Sequence, residues 1–420
     1  MPDRARAAAI RADARLRRGG AGPLVGIPFG AKDVIAARGA PTTWGAPEFR
    51  SQTFAEDATS LARVARAGGV LIAKLATVEL AGAGSMSRPG GSLQGQPRNA
   101  WAPDHYSGGS SSGPVIAVST GVLPFALGTE TGGSIQSPAS YSGVSAIRPT
   151  YGLVPRTGVM PLAWTLDKVG VLGRTVTDCA MVLEVIAGPD RSDPTSSGRF
   201  RRMDPSAARR AVGSIRIGTG ARDIEDCAPV TRRALSEAVG EMRRIVGRTE
   251  RAEIRADLPY DAMLEIVMLA EVSSIFSEQL DRGDFDLVDA KQKAQLEGGL
   301  RVRARDYLHA MRLRALLIAD FERVFSTVDV LVAPGRSDTA PPLDRPAAKR
   351  SNRTNADRLR TAANLAGLPG VIVPAGLAED GLPVGLHLLG PWRSEPLLVA
   401  LGEAFQRSTG YHERRPPLAT

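Results

Sequence analysis

The residues best suited to do chemistry lie in one stretch, SGGSSSGPVIAVSTGVLPFALGTETGGSIQSPASYSG over 107–143, where glycine, serine and threonine surround two apolar runs. A serine hydroxyl is a poor nucleophile until a base takes its proton, and acyl transfer needs N–H donors aimed at the developing oxyanion. Thr131-Gly132-Gly133-Ser134 can supply both. Two glycines ahead of a serine let successive peptide N–H groups face one concavity, with no Cβ in the way of a substrate carbonyl. The base can be histidine, carboxylate or lysine, and a lysine serves only if burial or a nearby cation lowers its pKa from about 10.4 toward neutrality. Lys32 is the candidate lysine: the apolar GPLVGIPFGA ahead of it carries it inward, and lysines are scarce in a chain whose 53 basic residues are mostly arginine. A plainer reading stands beside this one, with Lys32 in an ordinary interior ion pair with its neighbour Asp33.

Other chemistries fit less well. Gly109-Ser110-Ser111-Ser112-Gly113 satisfies the G-x-S-x-G nucleophile elbow, with Ser111 at its centre, but the preceding NAWAPDHYS is not the buried strand an elbow follows. No lysine has serine three residues before it, which removes a Ser-x-x-Lys arrangement. His105, His309, His387 and His412 show no ligand spacing, so no metal is expected. Cys179 and Cys227 lie far apart and read as small buried hydrophobes rather than a disulfide or a zinc site.

The elements that must position these loops alternate between helix and strand. ATSLARVARAGG (58–69) has helical spacing and ends on a glycine pair suited to a cap, and VLIAKL after it reads as a buried strand. Pro229 opens a second helix that Gly247 can cap, and TERAEIRA then alternates like a strand. Residues 262–326 are helical in pattern throughout; VDVLVAP, GVIVPAG and VGLHLLG read as short strands. Such alternation predicts an α/β fold. Met263, Leu264, Ile266 and Met268 either line a pocket wall or fill core, and core is the ordinary role of apolar residues at helical spacing.

Composition excludes several classes. Hydrophobic residues are 43% of the chain and no apolar run approaches the roughly 18 residues of a membrane span. The N-terminal MPDRARAAAIRADARLRRGG suits an exposed helix and lacks the apolar core of a secretion signal. The net charge of +9 is spread along the chain with acidic residues interleaved, not gathered into the basic stripe that direct nucleic-acid binding needs.

Taken together, GIPFGAKD, the run GGSSSGPVIAV…PFALGTETGGSIQSPASYSGVSAIRPTYGLVPRTGVMPLAWTLDKVGVLGRT, and the later ARDYLHAMRLR, VDVLVAP, NLAGLPGVIVPAG, EDGLPVGLHLLGP and YHERRPP resemble the amidase signature family, in order and over nearly the whole chain. The resemblance implies one domain over 1–420: a large mixed β-sheet surrounded by helices, with a signature core at about 22–190, a variable, mostly helical substrate-side region at about 190–330, and a return to the core over 327–420. It implies a Ser-Ser-Lys triad in which Ser134 is the nucleophile, Ser110, next to a cis peptide, is the proton bridge, and Lys32 is the neutral base. The peptide N–H groups of Thr131, Gly132, Gly133 and Ser134 form the oxyanion hole. Asp33, Glu130 and Arg148 support the loops, while Gly84, Ser85 and Gln136 border the substrate. The implied protein is a cytoplasmic amidase for a small-molecule carboxamide, without cofactor, as a free-standing chain or a homodimer. The alternatives are the glutaminase-type A chain of a tRNA-dependent amidotransferase, which requires partner subunits, or a non-catalytic family member.

Three departures stand out against the family pattern. Lys32 arrives after few residues, which implies either a shortened chain or a misassigned start and bears on stability and dimer contacts. Gln136 stands where many members carry Arg, and Glu130 where many carry Asp; both bear on substrate choice more than on the triad.

Overall fold

The short apolar runs line up as one sheet. A computed structural model describes residues 1–20, 22–82, 91–283, 290–344 and 354–417. Within them run β1 (Pro28–Lys32), β2 (Val70–Leu75), β3 (Phe125–Glu130), β4 (Ser145–Arg148), β5 (Lys168–Gly173), β6 (Arg216–Thr219), β7 (Arg248–Arg251), β8 (Val330–Pro334), β9 (Gly370–Leu377) and β10 (Pro383–Leu389). Their spatial order is β2-β1-β3-β5-β4-β9-β10-β8-β6-β7. The centre, from β3 to β8, is antiparallel, and both flanks are parallel. Parallel neighbours need a crossover, and helices supply it: Thr59–Arg66 leads into β2, Ser112–Ser119 precedes β3, and Pro229–Ile245 joins β6 to β7.

Helices cover the sheet, so its central strands read as continuous hydrophobic or small-residue runs, and every residue of β3, β5 and β10 is buried. A small apolar cluster of Val115, Val118, Ala126, Ile135, Ala139, Val144, Ala146, Leu172 and Ile372 clamps the helices Ser112–Ser119 and Gln136–Ser142 onto β3, β4, β5 and β9. The serine-bearing loops are the N-terminal approaches to those two helices, so this cluster holds both loops in place. Cys179 and Cys227 are buried hydrophobes, as their isolation in the sequence suggested.

Three expectations need correction. The alternating TERAEIRA yields only the four-residue β7, exposed throughout, because β7 lies at the sheet edge and pairs on one side with the equally short β6. Its Arg-Thr-Glu-Arg sequence gives the edge the charge that discourages further pairing. Gly247 does not cap the preceding helix: Val246 is already extended, and a Cβ on Gly247 would stand 2.4 Å from the Gly213 carbonyl oxygen, so glycine serves a close backbone approach there. The helical stretch at 262–326 is broken into Tyr260–Ile275, Ser277–Arg282, Ala290–Gly299 and Ala304–Thr327, with a left-handed Gly283 ending the second.

Candidate active site

Parallel pairing of β1 with β3, in register at Ala31 and Leu127, brings the C-terminal ends of both strands to the same side of the sheet. Lys32 ends β1, and Thr129 lies near the end of β3. The Lys32 Nζ is 2.8 Å from Thr129 Oγ1 and 2.7 Å from Ser110 Oγ, in the interior, with the lysine completely buried. Burial pushes its pKa down from 10.5 to about 7, while the negative charges of Asp167 and Glu130 pull it back up. The uncharged amine is therefore within reach near neutral pH, and an uncharged amine can accept a proton from one hydroxyl while donating to another.

The ion-pair reading belongs to Asp33 instead. Its carboxylate accepts from Lys74 Nζ at 2.7 Å and from Thr43, through both the peptide N–H (3.1 Å) and the hydroxyl (2.5 Å). Among the described residues, that leaves the Lys32 amine with hydroxyl hydrogen-bond partners only.

Ser110 follows a cis peptide bond from Gly109. Its carbonyl oxygen accepts from Val78 N–H and from the Thr77 hydroxyl, each at 3.2 Å, which anchors the loop to the end of β2. Ser111, the centre of the elbow motif, is fully buried; its hydroxyl donates to Thr129 O (3.1 Å) and accepts from Thr129 N (3.3 Å). Its own N–H donates to Ser134 O at 3.2 Å. Ser111 thus ties the two serine loops together and presents no free hydroxyl.

Ser134 is half-buried on the turn between β3 and the helix Gln136–Ser142, and it lines a small cleft. Gly109 and residues 131–134 form its floor, with Leu162, Met268, Arg336 and Arg360 as walls. Glycine is required at 133: its φ is +141°, and a Cβ would stand 3.0 Å from the Arg360 side chain. At 132 a Cβ would meet Leu264 Cδ2 at 3.0 Å. The peptide N–H groups of Gly132, Gly133 and Ser134 donate to no acceptor among the described residues, so they stand available beside the Ser134 hydroxyl. The Thr131 hydroxyl donates to Asp167 Oδ1 at 2.5 Å, and Asp167 Oδ2 accepts from Leu162 and Ala163 N–H, which staples the Leu162 wall to the glycine loop. Burial raises the Asp167 pKa against these hydrogen bonds.

Behind the turn, Glu130 Oε2 accepts from Ile135 and Gln136 N–H at 2.7 and 2.8 Å, while Oε1 accepts from Arg148 at 3.0 Å and Asn364 at 2.9 Å. Burial alone would raise this carboxyl's pKa; Arg148 and the N–H donors outweigh it and hold it below the usual value. Glu130 and Arg148 therefore support the loop, as expected.

The structure does not bring every candidate to the cleft. Gln136 turns its side chain inward onto Arg148 and His387 and lines no part of it. Gly84 and Ser85 lie outside the described residues. From the helix Tyr260–Ile275, Met263 is core, whereas Met268 reaches the cleft. Thr129, Asp167, Arg336 and Arg360 were not anticipated. Thr129 becomes legible only with the β1/β3 register, and the other three only from the packing of distant segments.

A strand-to-helix turn that carries a serine after two glycines, in a chain whose buried lysine contacts a second serine, is an arrangement suited to acyl transfer. Comparison with known proteins agrees. The Amidase family model matches residues 1–399, and the chain belongs to that family, whose members hydrolyse amide C–N bonds. It is 35% identical to the A chain of the glutamyl-tRNA(Gln) amidotransferase of Roseiflexus sp. (strain RS-1), over 99% of this chain and 89% of that protein. Among solved structures it is similar to the native peptide amidase of Stenotrophomonas maltophilia, with a TM-score of 0.86, 29% identity and coverage of 99% and 89% of the two chains. The corresponding glutamyl-tRNA(Gln) amidotransferase protein of Thermotoga maritima superposes with a TM-score of 0.77 at 28% identity, covering 94% of this chain and 87% of that one. The large mixed sheet wrapped by helices is the amidase signature fold. No helix among the described residues is long and apolar enough to cross a membrane.

Proposed function

We propose that this chain is a serine amidase for small-molecule carboxamides, with Ser134 as nucleophile, Ser110 as proton bridge and Lys32 as base. The observation that carries the reading is the fully buried Lys32, with a pKa lowered to about 7, 2.7 Å from the Oγ of Ser110, whose neighbour Gly109 lines the same cleft as Ser134. Neutral Lys32 takes the Ser110 proton as Ser110 takes that of Ser134, and Ser134 Oγ bonds to the substrate carbonyl carbon. The carbonyl oxygen becomes an oxyanion received by the N–H groups of residues 131–134. The proton then travels back from Lys32 through Ser110 to the departing nitrogen, the C–N bond breaks, and ammonia or an amine leaves. Water, activated by the same relay, hydrolyses the acyl-serine and restores both hydroxyls.

A second reading has its own support: the curated relatives at 35% identity include A chains of glutamyl-tRNA(Gln) amidotransferases. In that reading the same triad works on glutamine and passes ammonia to partner subunits. One experiment separates the two. The purified protein is treated with a small fluorophosphonate, the labelled peptide is located by mass spectrometry, and ammonia release is measured from an amide panel that includes glutamine and peptide amides. Label on Ser134 with turnover of simple amides supports the free-standing amidase. Label with glutamine turnover only when partner subunits are added supports the second reading. Label elsewhere rejects both.

A further inference from the structure

The side chain at Gln136 is two residues past Ser134, yet it points away from the cleft into a fully buried polar group of Glu130, Arg148, Asn364 and His387. Hydrogen-bond chemistry dictates how this group is ordered. Arg148 can only donate, so the Gln136 oxygen must face it, and the Gln136 amide nitrogen then faces His387 Nε2. That nitrogen can only donate, so His387 Nε2 must be an unprotonated acceptor, with the ring proton on Nδ1. The positive charges of Arg148 and Arg360 and complete burial all favour this neutral form.

His387 itself cannot drift. It lies in β10, paired with Ile372 of β9 on one side and Ala333 of β8 on the other, in the antiparallel centre of the sheet. Gly370 of β9 lies directly beneath: a Cβ there would stand 2.5 Å from His387 Nε2, 2.9 Å from an Arg148 nitrogen and 3.0 Å from Gln136 Nε2. The three side chains therefore meet in a space that only glycine leaves open.

We propose that His387 is a positioning residue for the nucleophile turn, acting as the hydrogen-bond acceptor that locks Gln136, and through Gln136 and Arg148 the Glu130 carboxylate that holds Ile135 and Gln136 N–H. Rigid support behind a reacting group matters because small misplacements of a nucleophile cost large factors in rate. The inference rests on Ser134 being the nucleophile, so its test has an arm independent of catalysis.

His387→Met removes the acceptor at similar volume; His387→Gln offers an amide oxygen in its place. The Met variant is expected to lose about 10- to 100-fold in kcat and in the rate of fluorophosphonate labelling of Ser134, with KM within about 2-fold and a cooperative unfolding transition retained. The Gln variant should recover to within about 3-fold. Unchanged kcat in the Met variant, a change in KM alone, or a Gln variant as slow as Met overturns the proposal. Nitrogen-15 NMR of the wild-type imidazoles covers the case in which the Met variant does not fold. It should show His387 neutral in the Nδ1–H form at neutral pH, and an Nε2–H or protonated ring there overturns the proposal. Failure of the wild type to label at Ser134 would instead reject the nucleophile assignment and leave the tautomer result standing.

Discussion

Lys32 and Asp33 are adjacent in the chain, yet among the described residues their side chains share no hydrogen-bond partner. At the end of β1 successive side chains diverge, so Lys32 meets Ser110 and Thr129 while Asp33 takes Lys74 and Thr43. Had Asp33 reached Lys32, the pair would have stabilised the charged amine and raised its pKa; diverted to Lys74, it leaves burial to lower that pKa to about 7.

The first consequence is an acid limb in the pH profile. Lys32, the proposed base, can act only when uncharged, so kcat/KM should fall below an apparent pKa of about 7, approaching tenfold per pH unit, and level off above it. Lys32→Arg, charged at every accessible pH, should leave less than about one part in a thousand of the activity across the range. Steady-state rates from pH 5 to 9 check both statements; a flat wild-type profile, or an active arginine variant, would remove Lys32 from the role of base.

A second consequence concerns stability. A lysine whose pKa is lower in the folded state binds fewer protons there than in the unfolded chain, so it opposes folding most strongly below about pH 7, and the cost fades as pH rises toward 10.5. Lys168, equally buried and also lowered to about 7, adds a second cost of the same sign. Lys32→Met should therefore stabilise the protein by several kcal/mol at pH 6 and by little near pH 10, reducing by about half the rise in stability over that interval. Urea unfolding at the two pH values measures it, and a Lys32→Met variant less stable than wild type at pH 6 contradicts it.

The two candidate serines should separate cleanly. Ser134→Ala should abolish both turnover and fluorophosphonate labelling, with unfolding unchanged. Ser111→Ala should instead cost about 1 to 2 kcal/mol of stability, from the lost link to Thr129, while Ser134 still labels. Labelling lost in the Ser111 variant but kept in the Ser134 variant would restore the elbow motif.

Glu130→Gln isolates the buried pair behind the turn. The substitution leaves the Arg148 charge without a carboxylate in a fully buried site, so about 3 to 5 kcal/mol of stability should be lost. Thermal unfolding reports it, and a change below about 1 kcal/mol would mean that the N–H donors, not Arg148, dominate at Glu130.

The cleft walls predict selectivity. Arg336 and Arg360 both line the cleft and share Asp357, at 3.2 and 2.7 Å. Amides bearing an ammonium group should be hydrolysed about tenfold less efficiently than neutral or carboxylate-bearing amides of the same size, because like charge opposes entry. Equal kcat/KM across a matched panel would show that substrates do not approach these arginines.

Local features were readable in the chain itself. The glycine pair before Ser134, the apolar run delivering Lys32 and the helix-strand alternation rest on conformational freedom and periodicity, which belong to neighbouring residues, and each reappears in the structure. What could not be read depends on pairing between distant segments. β1 and β3, nearly a hundred residues apart in the chain, must lie parallel before Thr129 can stand beside Lys32. The divergence of Asp33 is decided by the position of Lys74 at the end of β2. Gln136 read from sequence as a residue at the substrate's edge; the side chain turns inward because His387 and Arg148 offer it buried partners. Residue types and short spacings thus determined which chemistry was available, since these are local properties of the chain. Which lysine has its pKa lowered beside a hydroxyl, which serine is free and which side chains face the cleft were decided by the tertiary structure, because burial and hydrogen-bond partners exist only once remote strands are in register.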